Sequence, residues 1–165
     1  DNKSAEINLI KEIVQRGVEA ERLIFGKRLK RHDYLARYRV ADLFLDTHPY
    51  NSGTTASDAL RMELPILTLK GNSFNSREAA SIINSINLPE LITNTPKEYE
   101  ALAIELATNP EKLKIVKDKL VSNLASAPLY NTKLFTKNLE SAYTEMYERC
   151  QQGLEPDHIY VEHSN

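Results

Sequence analysis

The sequence predicts an α/β fold in which helices cover both faces of a parallel β-sheet. Short apolar runs alternate with helix-forming segments, most clearly between residues 42 and 69. There, an apolar run at residues 43–45 leads through a turn-rich loop and a helix-forming segment to a second run at residues 66–69. Strand, loop, helix and strand in this order form the repeating unit of a parallel sheet. The runs are apolar throughout, which is typical of strands buried on both faces.

The residues before position 42 predict a helix, a short strand and a second helix. Apolar side chains recur at helical spacing between Ser4 and Gly17, with Ser4 as the candidate N-cap and Gly17 as the candidate end. Residues 23–25, Leu-Ile-Phe, predict a short buried strand. Residues 33–38 lie in a basic stretch and predict a short helix ahead of the next strand.

The residues after position 69 predict one more strand and several helices. A second loop of small residues at 70–76 precedes a helix at residues 77–86 and a weak strand at residues 91–92. Thr95 and Glu98 have the spacing of a capping box, with proline at the first helical position between them. Further helices are predicted to begin after Asn109 and to cover residues 132–149.

Four short strands interleaved with helices predict a Rossmann-like, three-layer α/β/α architecture. With 165 residues the chain is long enough for one domain with a sizeable core, and 41% hydrophobic and 27% charged residues are typical of a globular protein. We expect residues 1–150 to form this domain and residues 151–165 to form a polar tail.

The composition excludes several classes of function. A net charge of -2 gives no general attraction to nucleic acid, and no aromatic residues interleave with the basic residues 27–32 to stack bases. Cys150 is the only cysteine, which excludes an internal disulfide and suits a reducing compartment. No apolar run approaches the roughly 20 residues of a membrane span. We therefore expect a cytoplasmic protein that binds neither nucleic acid nor membrane.

The loop that ends at residue 55 is the candidate ligand site. In parallel sheets, ligands bind beyond the carboxyl ends of the strands, where a loop meets the N-terminus of a helix. Gly53, Thr54 and Thr55 offer backbone N–H groups, two hydroxyls and the positive end of the following helix. These groups together suit an anion such as phosphate. No Gly-x-Gly-x-x-Gly follows a strand, which disfavours a Rossmann oxidoreductase.

Short motifs occur in a fixed order along most of the chain. They are ADLFLDT at residues 41–47, PYN at 49–51, TT at 54–55, DAL at 58–60, SREAAS at 76–81, PLYNTK at 128–133 and PDH at 156–158. Each motif is weak alone, but in this order they resemble the O-linked N-acetylglucosamine transferase family. The resemblance implies a two-lobed GT-B glycosyltransferase fold, of which this chain would be the C-terminal, nucleotide-binding lobe.

The resemblance assigns diphosphate and ribose contacts to the loop and helix described above. Thr54 and Thr55, preceded by Gly53, match the positions at which the family binds the diphosphate of the donor. Asp58 matches the carboxylate that accepts hydrogen bonds from ribose hydroxyls. A carboxylate suits that role because it can accept from two neighbouring hydroxyls at once.

The resemblance implies that residues in the basic stretch, 26–39, contact the base of the donor. Leu29 falls where backbone groups meet the edge of uracil, and Arg31 where the family usually has lysine near the nucleotide. Arg37 matches an arginine that packs on the uracil ring, and a guanidinium stacks well on a planar base. Tyr34 occupies a position that is histidine in animal members.

The activity implied by the resemblance is inverting transfer of N-acetylglucosamine from UDP-N-acetylglucosamine to Ser or Thr hydroxyls of proteins. The catalytic residues, the acceptor-side lobe and the tetratricopeptide repeats of the family are expected to lie outside this chain, so that the isolated lobe would be inactive. We expect no cofactor and no metal, because no Asp-x-Asp motif occurs and a helix N-terminus can replace a divalent cation.

Two departures from the family pattern leave alternatives open. Ser52 and Gly53 stand where animal members have Gly-His, and plant-type relatives that use GDP-fucose have more threonines and end in glutamate rather than Asp58. One alternative is therefore the lobe of a GDP-fucose-using protein O-fucosyltransferase. A second, from another class, is a non-catalytic Rossmann-like interaction module.

Overall fold

The computed structural model describes residues 2–161 and divides the chain into two units, with the boundary between Tyr34 and Leu35. The first unit contains helix α1 (Lys3–Gln15), and the boundary falls within helix α2 (Arg31–Arg37). The second unit contains the β-sheet and the remaining helices. Residue 1 and the last four residues of the predicted tail lie outside the described residues.

Helix α1 forms as predicted, although its N-cap is not the predicted one. The side chain of Asn2 accepts hydrogen bonds from the backbone N–H groups of Ser4 and Ala5 at 3.1 and 3.3 Å. Ser4 is therefore inside the helix, and its assignment as the cap was wrong by two residues. Gly17 follows the helix with φ of +79°, a conformation that glycine adopts without steric cost.

The strand predicted at residues 23–25 is absent from the described chain. A 3₁₀ turn at Ala20–Arg22 is followed by irregular backbone, and Ile24 is 86% exposed. A strand needs a hydrogen-bonded neighbour, and the strands of the described residues pair only with one another. An apolar triplet without such a neighbour does not form a strand, so this prediction was wrong.

The sheet of the described residues has three parallel strands in the order β1, β2, β3. Phe44 pairs with Ile66, and Thr68 pairs with Ile92. All four residues of the central strand are buried, as the continuous apolar run predicted. Leu45 is 54% exposed because its strand is at the edge of the sheet, so the prediction of burial on both faces holds only for the centre. The strands are β1 (Phe44–Leu45), β2 (Ile66–Leu69) and β3 (Ile92–Thr93).

The helices of the second unit begin at the predicted caps. Thr95 and Glu98 form the predicted capping box, in which the Glu98 N–H donates to Thr95 Oγ1 at 3.2 Å and the Thr95 N–H donates to Glu98 Oε2 at 3.1 Å. The Asn109 side chain caps the next helix by accepting from the Lys112 N–H at 3.0 Å. The helices are α3 (Thr54–Arg61), α4 (Glu78–Ser85), α5 (Pro96–Thr108), α6 (Pro110–Leu124) and α7 (Thr132–Gln151).

The core lies between the sheet and the helices that follow its strands. Leu60 from α3, Ile66 from β2 and Leu120 from α6 are fully buried in one apolar cluster. Helix α3 presents two alanines, Ala56 and Ala59, to the same cluster, and these small residues let its backbone lie close to its neighbours. The packing therefore fixes the N-terminus of α3 relative to the ends of the strands.

The chain after α7 turns back along the end of that helix. The Arg149 guanidinium donates to the backbone oxygen of Glu155 at 2.8 Å and lies 3.8 Å from the Asp157 carboxylate. These residues and their neighbours line a cavity of about 690 Å³ that none of the predicted site residues enters.

The domain boundary at residue 150 stays a prediction. In the described part of the chain, no helix is both long and apolar enough to cross a membrane.

Candidate functional site

Two loops meet at the carboxyl ends of β1 and β2. The first, residues 46–53, leads to α3, and the second, residues 70–77, leads to α4. The backbone N–H of Asn51 in the first loop donates to the backbone oxygen of Asn75 in the second at 3.0 Å. The two loops thus form one edge of the molecule, the place where parallel sheets bind ligands.

The carboxylate of Asp46 holds the first loop in place. It is 5% exposed, and its Oδ1 accepts from the N–H groups of Thr47 and Ser52 at 2.9 and 2.8 Å. Its Oδ2 accepts from the Thr68 hydroxyl on the neighbouring strand at 2.7 Å. Because one buried anion orders both ends of the loop and ties them to β2, the backbone ahead of α3 is fixed without a ligand.

Asn51 also orders this edge, and one of its atoms has no partner. The side chain is 1% exposed, and its Nδ2 donates to the backbone oxygens of Thr47 at 2.8 Å and Leu69 at 3.5 Å. Its Oδ1 is buried and accepts no hydrogen bond from any described residue. A buried acceptor of this kind is normally satisfied by a water molecule or a ligand donor.

The N-terminus of α3 follows this loop and is not capped by a side chain. Gly53 is the N-cap residue and supplies no side-chain hydrogen bond, and the first turn carries no acidic residue. Thr54 and Thr55 are both exposed. The first backbone N–H groups of a helix have no partner within the helix, so these residues present donors at its positive end. The predicted phosphate-binding residues thus form one continuous surface.

Asp58 lies one turn further along α3 and is 7% exposed. Its neighbour Tyr130 donates its hydroxyl to the backbone oxygen of Ser57 at 2.7 Å. The guanidinium of Arg61 lies 5.5 Å from the centre of the same tyrosine ring. Asp58, which is predicted to bind the ribose, is therefore on the same helix as the two threonines, in a more enclosed position than they are.

The residues predicted to bind the base divide between the two units. In the first unit, Leu29 is 43% exposed in irregular backbone, and the Arg31 guanidinium lies 5.8 Å from the centre of the Tyr34 ring. In the second unit, Arg37 ends α2 and lines a cavity of about 330 Å³ together with Tyr38. The structure brings Gly53, Thr54, Thr55 and Asp58 together on one helix and Arg31 together with Tyr34.

Sequence reasoning did not predict the position of Glu78. This first residue of α4 carries a carboxylate that lies directly against Gly53. A Cβ atom added to Gly53 would lie 2.7 Å from Cδ of Glu78 and closer still to Oε1. The two residues are 25 positions apart in the sequence. The only signal in the sequence is that two strand–loop–helix units follow each other, which places both helix starts at one edge of the sheet.

Two tyrosines that support this region have raised pKa values. Burial raises the pKa of Tyr99, and the negative charge of Asp46, whose backbone oxygen accepts from the Tyr99 hydroxyl at 2.9 Å, raises it further. Burial also raises the pKa of Tyr130. The hydrogen bond to Ser57 and the charge of Arg61 lower that pKa, and Asp58 raises it, with a net upward shift.

We expect stability to fall in alkaline solution as these tyrosines ionise. Because the unfolded chain loses both phenolic protons first, their contribution is fully present below the unfolded pKa of 10.0 and is lost as the pH rises through the folded pKa values. Urea midpoints measured at increasing pH should show this loss. The Tyr99→Phe/Tyr130→Phe variant should lose part of the pH dependence, whereas Tyr147→Phe, at a residue 66% exposed, should keep all of it.

Among the described residues, no group of three or more His, Cys, Asp or Glu side chains could hold a metal ion. The expectation that the site uses neither a metal nor a cofactor stays a prediction.

The parallel sheet and its loop-to-helix edge define a Rossmann-like α/β lobe. A solved structure of a Thermobaculum terrenum O-GlcNAc transferase mutant matches with a TM-score of 0.83 at 33% identity, covering 92% of this chain and 29% of that chain. A family model, Glycosyl transferase family 41, matches residues 2–139. The chain belongs to this family, which confirms the resemblance and the fold class predicted from sequence.

Curated relatives match over most of the chain. The UDP-N-acetylglucosamine–peptide N-acetylglucosaminyltransferase of Caenorhabditis elegans is 30% identical over 93% of this chain and 13% of its own length. SEC of Arabidopsis thaliana is 32% identical over 88% of this chain, and SPINDLY of Petunia hybrida is 33% identical over 84%, each over 15% of its own length. Both are named as probable enzymes of the same kind. The chain thus spans about one seventh of the relatives it matches.

Proposed function

We propose that this chain is the donor-binding lobe of an inverting protein O-glycosyltransferase that uses UDP-N-acetylglucosamine. The support is the family membership, together with relatives that are named for transfer of N-acetylglucosamine to peptides. The acceptor would be a Ser or Thr hydroxyl of a protein. The acceptor-side lobe, the catalytic residues and the tetratricopeptide repeats would be supplied by segments other than this chain.

The observation that carries the proposal is the N-terminus of α3, which no side chain caps. An anion there would meet backbone donors at the positive end of a helix and the exposed hydroxyls of Thr54 and Thr55. The loop ahead of it is already fixed by Asp46, so little ordering would be needed on binding. A nucleoside diphosphate is an anion of suitable charge for such a site.

In the proposed reaction, negative charge develops on the diphosphate next to the N-terminus of α3. When an acceptor hydroxyl attacks the anomeric carbon, the bond to the diphosphate breaks and negative charge grows on the leaving oxygens. Donors that are fixed before the reaction stabilise such charge without reorganisation. In this proposal the N-terminus of α3 and its two threonines supply that stabilisation, without a metal or a cofactor.

The remaining donor contacts are proposed from the resemblance. Asp58 would accept from the ribose hydroxyls, and Arg37 would pack on the uracil ring. Leu29, Arg31 and Tyr34 would lie near the base. The cytoplasm is the proposed compartment, since the single cysteine suits a reducing environment.

The test is a titration with UDP and GDP followed by two-dimensional NMR. UDP should shift resonances of α3, and the Thr54→Ala/Thr55→Ala variant should bind it about 100-fold or more weakly, because each of the two lost hydroxyl contacts to a charged group is worth about 1.5–3 kcal/mol. Thr132→Ala is the matched control, because Thr132 is likewise an exposed threonine that begins a helix, α7. That variant should bind UDP like the unmodified chain.

Other outcomes would select the alternatives. A preference for GDP over UDP would favour a fucose donor. Absence of any shift at millimolar nucleotide would favour a non-catalytic interaction module. Equal weakening by the substitutions in α3 and by the control in α7 would contradict the location of the site.

A further inference from the structure

The carboxylate of Glu78 occupies space at the start of α3 that a side chain at position 53 would otherwise fill. Oε1, Cδ and Oε2 of Glu78 are the three atoms nearest to a Cβ built on Gly53, and Oε2 is the farthest of them at 3.2 Å. Gly53 has no side chain, and so the carboxylate can lie against its backbone. This contact joins the beginning of α4 to the beginning of α3.

The backbone that carries Glu78 is well anchored. In the loop ahead of α4, the Ser76 hydroxyl oxygen accepts from the Ser73 N–H at 3.0 Å, and the Gly71 N–H donates to the Ser76 backbone oxygen at 2.8 Å. Directly after Glu78, Ala79 and Ala80 are buried in the domain. The position of the Glu78 backbone is therefore set by the fold.

Glu78 has no hydrogen-bond or ion-pair partner in the described part of the chain, although it is partly buried. A carboxylate in this state offers two acceptor oxygens and contributes a negative charge close to the N-terminus of α3. That charge repels a diphosphate, so the part of a sugar nucleotide that meets Glu78 must be an uncharged donor of hydrogen bonds. A pair of neighbouring hydroxyls meets this requirement.

We propose that Glu78 selects the sugar of the donor by accepting hydrogen bonds from its hydroxyls, an inference that rests on the proposed function. The diphosphate would lie on Thr54 and Thr55, and the group attached to its outer phosphate is the sugar. Gly53 immediately precedes these threonines, and Glu78 lies against Gly53. Glu78 is thus a specificity-determining residue, and it distinguishes a sugar nucleotide from the bare nucleotide.

The experiment compares the Kd values of UDP and UDP-N-acetylglucosamine for the full chain and for Glu78→Gln. The substitution keeps the size of the side chain and removes its charge. We expect weaker binding of the sugar nucleotide and unchanged or tighter binding of UDP, so that the ratio of the two Kd values changes about tenfold, as expected for a charged hydrogen bond. Glu100→Gln, at an exposed residue of α5, makes the same charge change and should leave the ratio unaltered.

The outcomes separate this inference from the proposed function. If the unmodified chain binds UDP but Glu78→Gln alters both Kd values equally, the role of Glu78 is overturned and the donor lobe stands. If the unmodified chain binds neither ligand, both are overturned. Because Glu78 makes no hydrogen bond within the described residues, the variant is expected to fold, which its NMR spectrum would show before titration.

Discussion

Replacement of Asp46 by alanine is expected to lower the free energy of unfolding by about 3–5 kcal/mol. The substitution leaves the Thr68 hydroxyl and the Ser52 and Thr47 N–H groups without their acceptor at a site where the carboxylate is 5% exposed. Hydrogen bonds to a charged group contribute more than neutral ones, and buried donors that lose their acceptor add a desolvation cost. Urea unfolding of the two proteins would measure the difference.

Two control experiments test whether the burial and the hydrogen bonds of Asp46 cause this loss of stability. Asp118→Ala removes a carboxylate that is 65% exposed and pairs with Lys114, so it should cost no more than about 0.5 kcal/mol. Thr68→Val removes one donor to Asp46. If the Asp46–Thr68 bond is as strong as its 2.7 Å length indicates, the double variant should be more stable than the sum of the two single losses predicts. Strict additivity would contradict a direct interaction.

Replacement of Asp46 is also expected to affect ligand binding, because this residue orders the first loop. Asp46 fixes the Ser52 N–H, and Ser52 directly precedes the cap of α3. A variant that folds but lacks this carboxylate would have to order the loop at the moment of binding. It should therefore bind nucleotide more weakly even though Asp46 itself contacts no ligand in the proposed site.

The sequence predicted those features that depend on neighbouring residues. The capping box at Thr95, the cap at Asn109 and the strand at Ile66–Leu69 all form as expected. Each depends on contacts within a few residues or on one short, mainly apolar run. The loop-to-helix junction at Gly53 could also be located, because the end of a parallel strand and the start of the next helix follow each other directly in the chain.

Features that depend on distant pairing were missed or mispredicted. Residues 23–25 have the composition of a strand, but whether a strand forms depends on a neighbour that local pattern cannot reveal. Asp46 and Thr68 are 22 residues apart, and only the register of β1 with β2 brings them together. The contact of Glu78 with Gly53 depends in the same way on how two successive loops lie side by side.

The site residues assigned from the resemblance differ in how much the fold supports them. Thr54, Thr55 and Asp58 share one helix whose placement follows from the core. The residues assigned to the base come from irregular backbone and from α2, where no strand or long helix sets their positions. The diphosphate contacts are therefore the part of the prediction with the strongest physical basis.

Helix α3, which carries the predicted diphosphate contacts, is held in the core by Leu60. Leu60→Ala is expected to destabilise the protein by about 2–5 kcal/mol, because a fully buried leucine loses its apolar contacts and leaves a cavity. Leu60 lies in the same cluster as Ile66 of β2 and Leu120 of α6. Thermal or urea unfolding would measure the loss.

Two matched variants test whether the loss comes from the buried position of Leu60 and from the cavity that alanine leaves. Ile115→Ala shortens an apolar side chain that is 67% exposed on α6 and should cost no more than about 0.5 kcal/mol. Leu60→Met nearly keeps the volume and should cost less than about 1.5 kcal/mol. If Leu60→Ala lowered the free energy of unfolding by less than about 1.5 kcal/mol, the core would not hold α3 tightly. The N-terminus of α3 would then have to be positioned by Asp46 and the loop alone, and the open helix end would not be preorganised for an anion.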